Sequence, residues 1–335
     1  MTVSPVKIVA DNAIPFLRGV LEPYGEIVYM DGCEISREDV LDADVLLTRT
    51  RTRCDSSLLG GSRVKLIATA TIGTDHVDIP WCKANGIRVE SAAGCNALAV
   101  ADYVAAAITA LDGGRFAGEG RTLGIVGVGH VGSEVEKMAL KAGFRLLRCD
   151  PPRALREGTD GFCDLRTLLA RSDIVTLHVP LDGTTRSMAG NDFFAAMKYG
   201  AVFINASRGE VVDEAALKAA AWRLGPLVID TWCHEPEIDR ELLRRTAVAT
   251  PHIAGYSLQG KMNGTASVVR SVAAAFGIGA LTEFRPDGWK APVKISCSEI
   301  SGKYPILADD KALRDNPDGF ERLRREYALR DEFYI

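Results

Sequence analysis

The 335-residue sequence predicts an α/β fold of two lobes. Three observations lead there. Strand-like and helix-like apolar patterns alternate almost from end to end. The strands in the middle of the chain are nearly continuous apolar runs, as expected of a parallel sheet covered on both faces. A glycine fingerprint, Gly127-Val128-Gly129-His130-Val131-Gly132, sits mid-chain, and a helical run after Pro251 leads back towards the first lobe. A chain of this length can bury a large core and should divide into two or three domains.

In the first lobe, residues 7–10, 44–48, 64–69 and 87–90 read as strands. Residues 96–111 follow as one long helix. Asn96 suits its N-cap, and Asp112-Gly113-Gly114 suits its end. Its apolar residues wrap nearly all round, which predicts burial on more than one side. The second lobe begins at Arg121, with strands over 123–128, 145–150, 174–179, 201–206, 227–231 and 248–250. Helices such as 133–142 and 214–222 lie between them, and 258–276 is the returning helix. The tail from Leu281 carries more charge and more turn residues. It ends in an amphipathic helix with Phe320, Leu323 and Tyr327 on one side. One subunit cannot easily hide both this face and the 96–111 helix, which predicts a homodimer.

Composition excludes several classes. Hydrophobic residues at 47% and charged residues at 25% are ordinary for a soluble globular protein. A net charge of −4 and a pI near 5.8 give no general attraction to nucleic acid or acidic membranes. The first ten residues hold one lysine and no long apolar core, so no export signal is expected. The 97–111 run is too short to span a bilayer and carries Asp102. The eight cysteines form no Cys-x-x-Cys pair and match no zinc spacing, as in a reducing cytoplasm. No His, Cys and carboxylate spacing suggests a metal.

The fingerprint follows a strand and opens a helix, which is the context it needs to bind a dinucleotide. Gly127 permits the tight turn, Gly129 lets backbone approach a pyrophosphate, and Gly132 allows close helix–strand packing. The helix N-terminus offers N–H donors and partial positive charge to the phosphates. Asp150, at the end of the next strand, can accept from both ribose hydroxyls and would repel a 2′-phosphate. NAD is therefore expected over NADP, although Arg153 lies close.

Arg208, Glu235 and His252 each follow an apolar strand. A guanidinium fork can hold a carboxylate and polarise a carbonyl beside it. An imidazole with an ordinary pKa near 6.5 exchanges protons readily at neutral pH. A carboxylate bonded to it fixes the tautomer and stabilises the imidazolium. This is the equipment for moving a hydride and a proton on a 2-hydroxy acid. The other histidines read more plainly. His178 reads as a packed strand-end residue, His76 as a turn residue and His234 as facing away, while His130 matters mainly for its backbone.

A strand-end Arg, Glu and His behind a Gly-x-Gly-x-x-Gly resemble the D-isomer-specific 2-hydroxyacid dehydrogenases. The resemblance covers nearly the whole chain. It implies a central Rossmann-type NAD domain, 96–254, inserted in a flavodoxin-like substrate domain, 1–95 plus 255–280. A C-terminal dimerisation segment, 281–335, would follow. It implies that Arg208 binds substrate, Glu235 supports the imidazole and His252 exchanges the proton. Beyond Gly127, Gly129, His130, Val131, Gly132 and Asp150, the NAD site would take in Val179, Ala206, Ser207, Arg208, Asp230 and Gly255.

Residues 68–78, 94–97, 149–153 and 252–261 resemble one branch of that family, which acts on a phosphorylated 2-hydroxy acid. The most specific is His252-Ile253-Ala254-Gly255-Tyr256-Ser257-Leu258-Gln259-Gly260-Lys261, and residues 320–327 resemble that branch's dimerising tail. The likeness makes Thr50 and Thr71 substrate contacts, with Arg49, Tyr256 and Lys261 beside them. The residues agree with a phosphorylated substrate. Arg49-Thr50-Arg51-Thr52-Arg53, if extended, offers three guanidinium groups on one face and two hydroxyls on the other. Two other readings stand beside this one. One is a family member acting on 3-phosphoglycerate, glyoxylate or hydroxypyruvate. The other is an NAD-sensing, corepressor-like binding protein without turnover.

Overall fold

The computed structural model describes residues 5–335. Residues 1–4, part of the stretch read for an export signal, lie outside the described residues. The chain forms two units. One holds the residues up to Asn96 and Leu258–Ala291; the other holds Ala97–Ser257 and Pro292–Ile335.

The first unit is built on β1 (Val6–Asp11), β2 (Gly25–Met30), β3 (Val45–Thr48), β4 (Leu66–Thr69) and β5 (Arg88–Ser91). They form a parallel sheet in the order β2-β1-β3-β4-β5. Side chains alternate between its faces, and both faces are apolar because both are covered. Ile8, Ala10, Val45, Leu47, Leu66 and Ala68 pack with Val268, Val269 and Val272 of the Leu258–Phe276 helix. Val9, Leu46 and Ile67 face the other way, among Leu58, Leu59 and Cys82. The sequence reading missed β2. That edge strand is nowhere fully buried and leaves Val28 exposed, so it shows no apolar run.

The second unit holds β6 (Thr122–Val126), β7 (Arg145–Cys149), β8 (Ile174–Leu177), β9 (Val202–Asn205), β10 (Leu227–Ile229) and β11 (Val248–Ala249). The sheet is parallel, in the order β11-β10-β9-β8-β6-β7. The chain steps from β6 out to β7, then crosses back to β8 on the other side of β6. That reversal makes a topological switch point between β6 and β8, where ligands of such sheets collect.

The Ala97–Leu111 helix is enclosed on nearly every side, with Tyr103, Ala107 and Ile108 no more than 1% exposed. It shares one core with Val135, Met138 and Ala139 of the His130–Lys141 helix and with Tyr304, Ile306 and Phe333 of the tail. This corrects one expectation. The helix needs no second subunit to cover it, because its own chain does so.

Residues 281–291 group with the first unit, while 292–335 pack into the second and form no body of their own. This tail has helices Ile300–Lys303, Ile306–Asp315 and Phe320–Arg325 and a parallel ladder of β12 (Val293–Lys294) and β13 (Phe333–Tyr334). The amphipathic helix is shorter than expected, and Tyr327 lies beyond its end. Its hydroxyl donates to Asp309 at 3.0 Å, and its ring meets that of Tyr256 edge-on at 6.1 Å. No helix among the described residues is long and apolar enough to cross a membrane.

Candidate active site

The glycine loop joins β6 to the His130–Lys141 helix. Gly127 has φ +86°, and a Cβ there would fall 2.5 Å from the His178 carbonyl oxygen, so only glycine fits. A Cβ on Gly132 would lie 2.1 Å from the Gly127 carbonyl oxygen, which is the close helix–strand approach the sequence predicts. At Gly129 a Cβ would meet nothing within 4 Å, so the space above that backbone is open. An open, glycine-lined backbone at the start of a 12-residue helix suits a dinucleotide pyrophosphate. His130 is exposed, and Val131 is half-buried beside it.

Asp150 closes β7 and holds this loop. Its Oδ2 accepts from the Val128 N–H at 2.8 Å, and its Oδ1 caps the next helix through the Arg153 N–H at 2.8 Å. Arg153 turns to the Val128 carbonyl at 2.7 Å and the Ser133 hydroxyl at 3.2 Å. The open glycine backbone and the Asp150 carboxylate beside it therefore fit NAD, and the Arg153 guanidinium next to them is already engaged. Val179 follows β8 and is half-buried. His178 is a packed residue, as expected. Its Nε2 lies 2.9 Å from the Thr176 hydroxyl, and burial pushes the ring down to about 3, so it stays neutral.

Three neighbouring strands, β9, β10 and β11, deliver the other groups at the same edge. After β9, Asn205 Oδ1 accepts from the Ser207 N–H and hydroxyl at 3.1 and 2.7 Å, and its amide donates to the Arg208 carbonyl at 3.0 Å. That fixes Ala206, Ser207 and Arg208 in a tight turn. The Arg208 guanidinium donates to the Ser207 carbonyl at 2.8 Å and is partly exposed. After β10, Trp232 is 1% exposed and donates from its indole to the Thr250 carbonyl at 2.9 Å.

Asp230 is buried. Its Oδ1 accepts from the Thr250 hydroxyl and the Ile253 N–H, and its Oδ2 from the Ala254 N–H. Expected above among the cofactor contacts, its carboxylate here ties the loop after β11 together. Burial pushes Asp230 up against these donors.

Glu235 and His252 meet. Glu235 Oε2 and His252 Nδ1 are 2.7 Å apart, and Oε1 accepts from the Trp232 N–H at 2.9 Å. An ionised carboxylate only accepts, so Nδ1 carries the proton and Nε2 is the free, basic nitrogen. Burial pushes the Glu235 carboxyl up. The charge and hydrogen bond of His252, the Trp232 N–H and the charge of Arg324 outweigh it and hold Glu235 below the usual range. His252 has φ +55°, a conformation held by its N–H bond to the Asp230 carbonyl at 2.8 Å. His234 is exposed, in line with the reading that it faces away.

The tail supplies two residues that the sequence reading did not single out. Arg330 donates to the carbonyls of Ala99 and Tyr256 at 2.9 and 2.7 Å, and to those of Ile253 and Ala254, clamping the loop after His252. It stacks on Tyr304, 4.2 Å from the ring centroid. Arg324 lies 3.8 Å from Glu235 Oε2. Nothing in the charged, irregular tail marks these two arginines off from their neighbours, so local pattern carries no signal for them.

The substrate contacts expected from the first unit lie at its strand ends. The run after β3 bends over residues 50–52 and does not stay extended, which corrects the alternating-face expectation. Thr52 is buried, with its hydroxyl on the Gly32 carbonyl at 2.8 Å, while Thr50 is exposed. Arg49 is half-buried and donates to the Ala13 carbonyl at 3.3 Å. Thr71, after β4, shares a hydrogen bond with Thr69 at 2.8 Å. Lys261 lies in the first turn of the Leu258–Phe276 helix, half-buried. Gly255 and Tyr256 belong to the second unit, in the half-buried turn that Arg330 clamps.

Residues 111–254 match the model of the D-isomer specific 2-hydroxyacid dehydrogenase NAD-binding domain. A Bacteroides fragilis protein named erythronate-4-phosphate dehydrogenase is 42% identical over 98% of this chain and 97% of its own length. This chain belongs to the erythronate-4-phosphate dehydrogenases, within the D-isomer-specific 2-hydroxyacid dehydrogenase family. A Marinobacter nauticus protein of the same name is 39% identical over 97% of this chain and 92% of its own. Among solved structures, an NAD⁺-bound 3-phosphoglycerate dehydrogenase from Entamoeba histolytica superposes with a TM-score of 0.68. It covers 86% of this chain and all of its own at 24% identity, which shows a shared fold. The TT0316 protein of Thermus thermophilus gives 0.67 at 27% identity, over 81% of this chain and 97% of its own. The chain is an NAD-dependent oxidoreductase.

Proposed function

We propose that this chain oxidises 4-phospho-D-erythronate to 2-oxo-3-hydroxy-4-phosphobutanoate with NAD, a step of pyridoxal 5′-phosphate (vitamin B6) biosynthesis. The observation that carries the reading is the 42% identity, over nearly full length, to a protein named for that activity.

The side chains supply the chemistry as follows. His252, through Nε2, takes the C2 hydroxyl proton. Glu235 holds the opposite ring N–H and stabilises the imidazolium that forms. Arg208 grips the C1 carboxylate with its fork and polarises the forming ketone. Bound NAD would supply the acceptor for the C2 hydride. The fingerprint backbone, Asp150 and the strand-end turns at Val179, Ala206–Arg208, Asp230 and Gly255 hold NAD. Arg49, Thr50, Thr71, Tyr256 and Lys261 hold the substrate, with the first unit as the substrate domain.

The protein acts in the cytoplasm as a homodimer. Its interface is the tail, where Val293, Leu307 and Tyr334 are 45%, 54% and 42% exposed.

One assay tests the function. NADH formation should be fastest, by kcat/KM, with D-erythronate 4-phosphate in a panel with 3-phosphoglycerate and glycolate. Preference for either of the others, or no turnover at all, would overturn the assignment. Sedimentation showing a monomer across micromolar concentrations would remove the dimer.

A further inference from the structure

We propose that Arg324 of the tail is a positioning residue for the Glu235–His252 pair, and that it sets the pH range in which the pair accepts a proton. The proposal rests on the reading of His252 as proton acceptor.

The geometry comes first. Phe320, at the start of the short Phe320–Arg325 helix, is fully buried and anchors that helix in the core. Four residues on, Arg324 has only 20% of its side chain exposed. Its Nη1 bonds Glu321 Oε1 at 2.9 Å and lies 3.8 Å from Glu235 Oε2, the same oxygen that meets His252. Its Nε is enclosed and has no hydrogen-bond partner among the described residues. An enclosed guanidinium with an unsatisfied donor is costly, and the carboxylates of Glu321 and Glu235 beside it offset that cost.

The consequence is electrostatic. Glu235 faces His252 on one side and Arg324 on the other. Asp230 faces His252 from the residue after β10, and Glu321 and Tyr256 face Arg324. With one carboxylate between two cationic partners, each partner weakens the pull on the other. Arg324 therefore offsets part of the negative charge that draws a proton onto the imidazole. The pair gives up its proton at lower pH than it would alone, so more of the enzyme is ready to accept the C2 hydroxyl proton near neutrality. The pair titrates as a unit, and the effect belongs to the pair.

Two variants read this out with opposite signs. In Arg324→Met the acid limb of the kcat/KM–pH profile should move up by about 0.5–1 pH unit, since a charge a few ångströms away is worth that much in a partly wet site. Arg324→Lys should restore most of the wild-type limb. Glu321→Gln removes the counter-charge from an exposed position and should move the limb down by a few tenths of a unit. NADH binding should be unchanged in all three.

The same shifts should be seen in the ring titration of His252 by NMR with ¹³C-labelled histidine, which needs no turnover. A limb and a ring titration that stay put in both Arg324→Met and Glu321→Gln would overturn the proposal. So would an Arg324→Lys shift equal to that of Arg324→Met. If His252→Ala kept full activity while the Arg324→Met ring titration still moved, the reading of His252 would fail and the electrostatic coupling would stand.

Discussion

In the second unit, the loops after β9, β10 and β11 are bolted to one another. Asn205 locks the Arg208 turn, Trp232 reaches across to Thr250, and Asp230 holds three donors of the His252 loop. In the first unit, the loop after β3 bends into solvent, with Arg51 64% and Arg53 86% exposed in their side chains. Both sheets are parallel and both present loops at the same kind of edge. On the function proposed above, the difference lies in what each would do. Groups that move a proton must be held within a fraction of an ångström, which needs cross-bonded loops. Groups that gather a charged substrate work at longer range and tolerate motion.

Variants can break that division. The largest effect should come from His252→Ala, which should lower kcat by about 10²–10⁴-fold with NADH binding retained in a fluorescence titration. Near wild-type turnover would end the acid–base assignment. Arg208→Lys keeps the charge and loses the fork, so kcat/KM should fall by about 10²-fold. Complete rescue by lysine would reduce Arg208 to a point charge. In the first unit, Arg49→Ala should raise KM by about tenfold and leave kcat unchanged, the signature of substrate gathering. A fall in kcat there would erase the contrast between the two units.

The smallest effect concerns Asp102, which is fully buried in the Ala97–Leu111 helix and accepts from the Phe333 N–H at 3.0 Å. Burial pushes its carboxyl well above the usual range, and nearby Glu332 and Glu134 add to that against the Phe333 N–H and Arg330. A raised folded pKa means the native state holds a proton that the unfolded chain releases. Stability is then greatest below the ordinary carboxylate value and falls as pH rises from there. Between pH 5 and 8, the melting temperature of the wild type should drop relative to Asp102→Asn. A constant gap would show that Asp102 does not titrate in that window.

The second sheet was legible because its strands are continuous apolar runs and its loops carry rare residue types at their ends. The NAD loop was legible for the same reason, since glycine is the one residue that fits at Gly127 and Gly132. The pairing of Glu235 with His252 followed from adjacent strands. What stayed hidden had no period to read. β2 is a half-exposed edge strand, and the burial of the Ala97–Leu111 helix depends on Tyr304, Ile306 and Phe333, far along the chain. Arg324 and Arg330 look like solvated charge until the fold buries them. The bend after β3 was misread because an alternating Arg-Thr run looks like a strand, yet Thr52 is held by the Gly32 carbonyl.

The Arg330 clamp also has a consequence in time. It fastens the loop that follows His252, and it does so from 74 to 77 residues further along the chain. A ribosome adds about 5–20 residues each second, so the fingerprint and the Glu235–His252 strands emerge several seconds before their fastener. A nascent chain in that interval has its glycine loop and both sheets written in full while the loop after His252 is still unsecured. Synthesis order thus places the fastening of that loop close to the end of chain assembly.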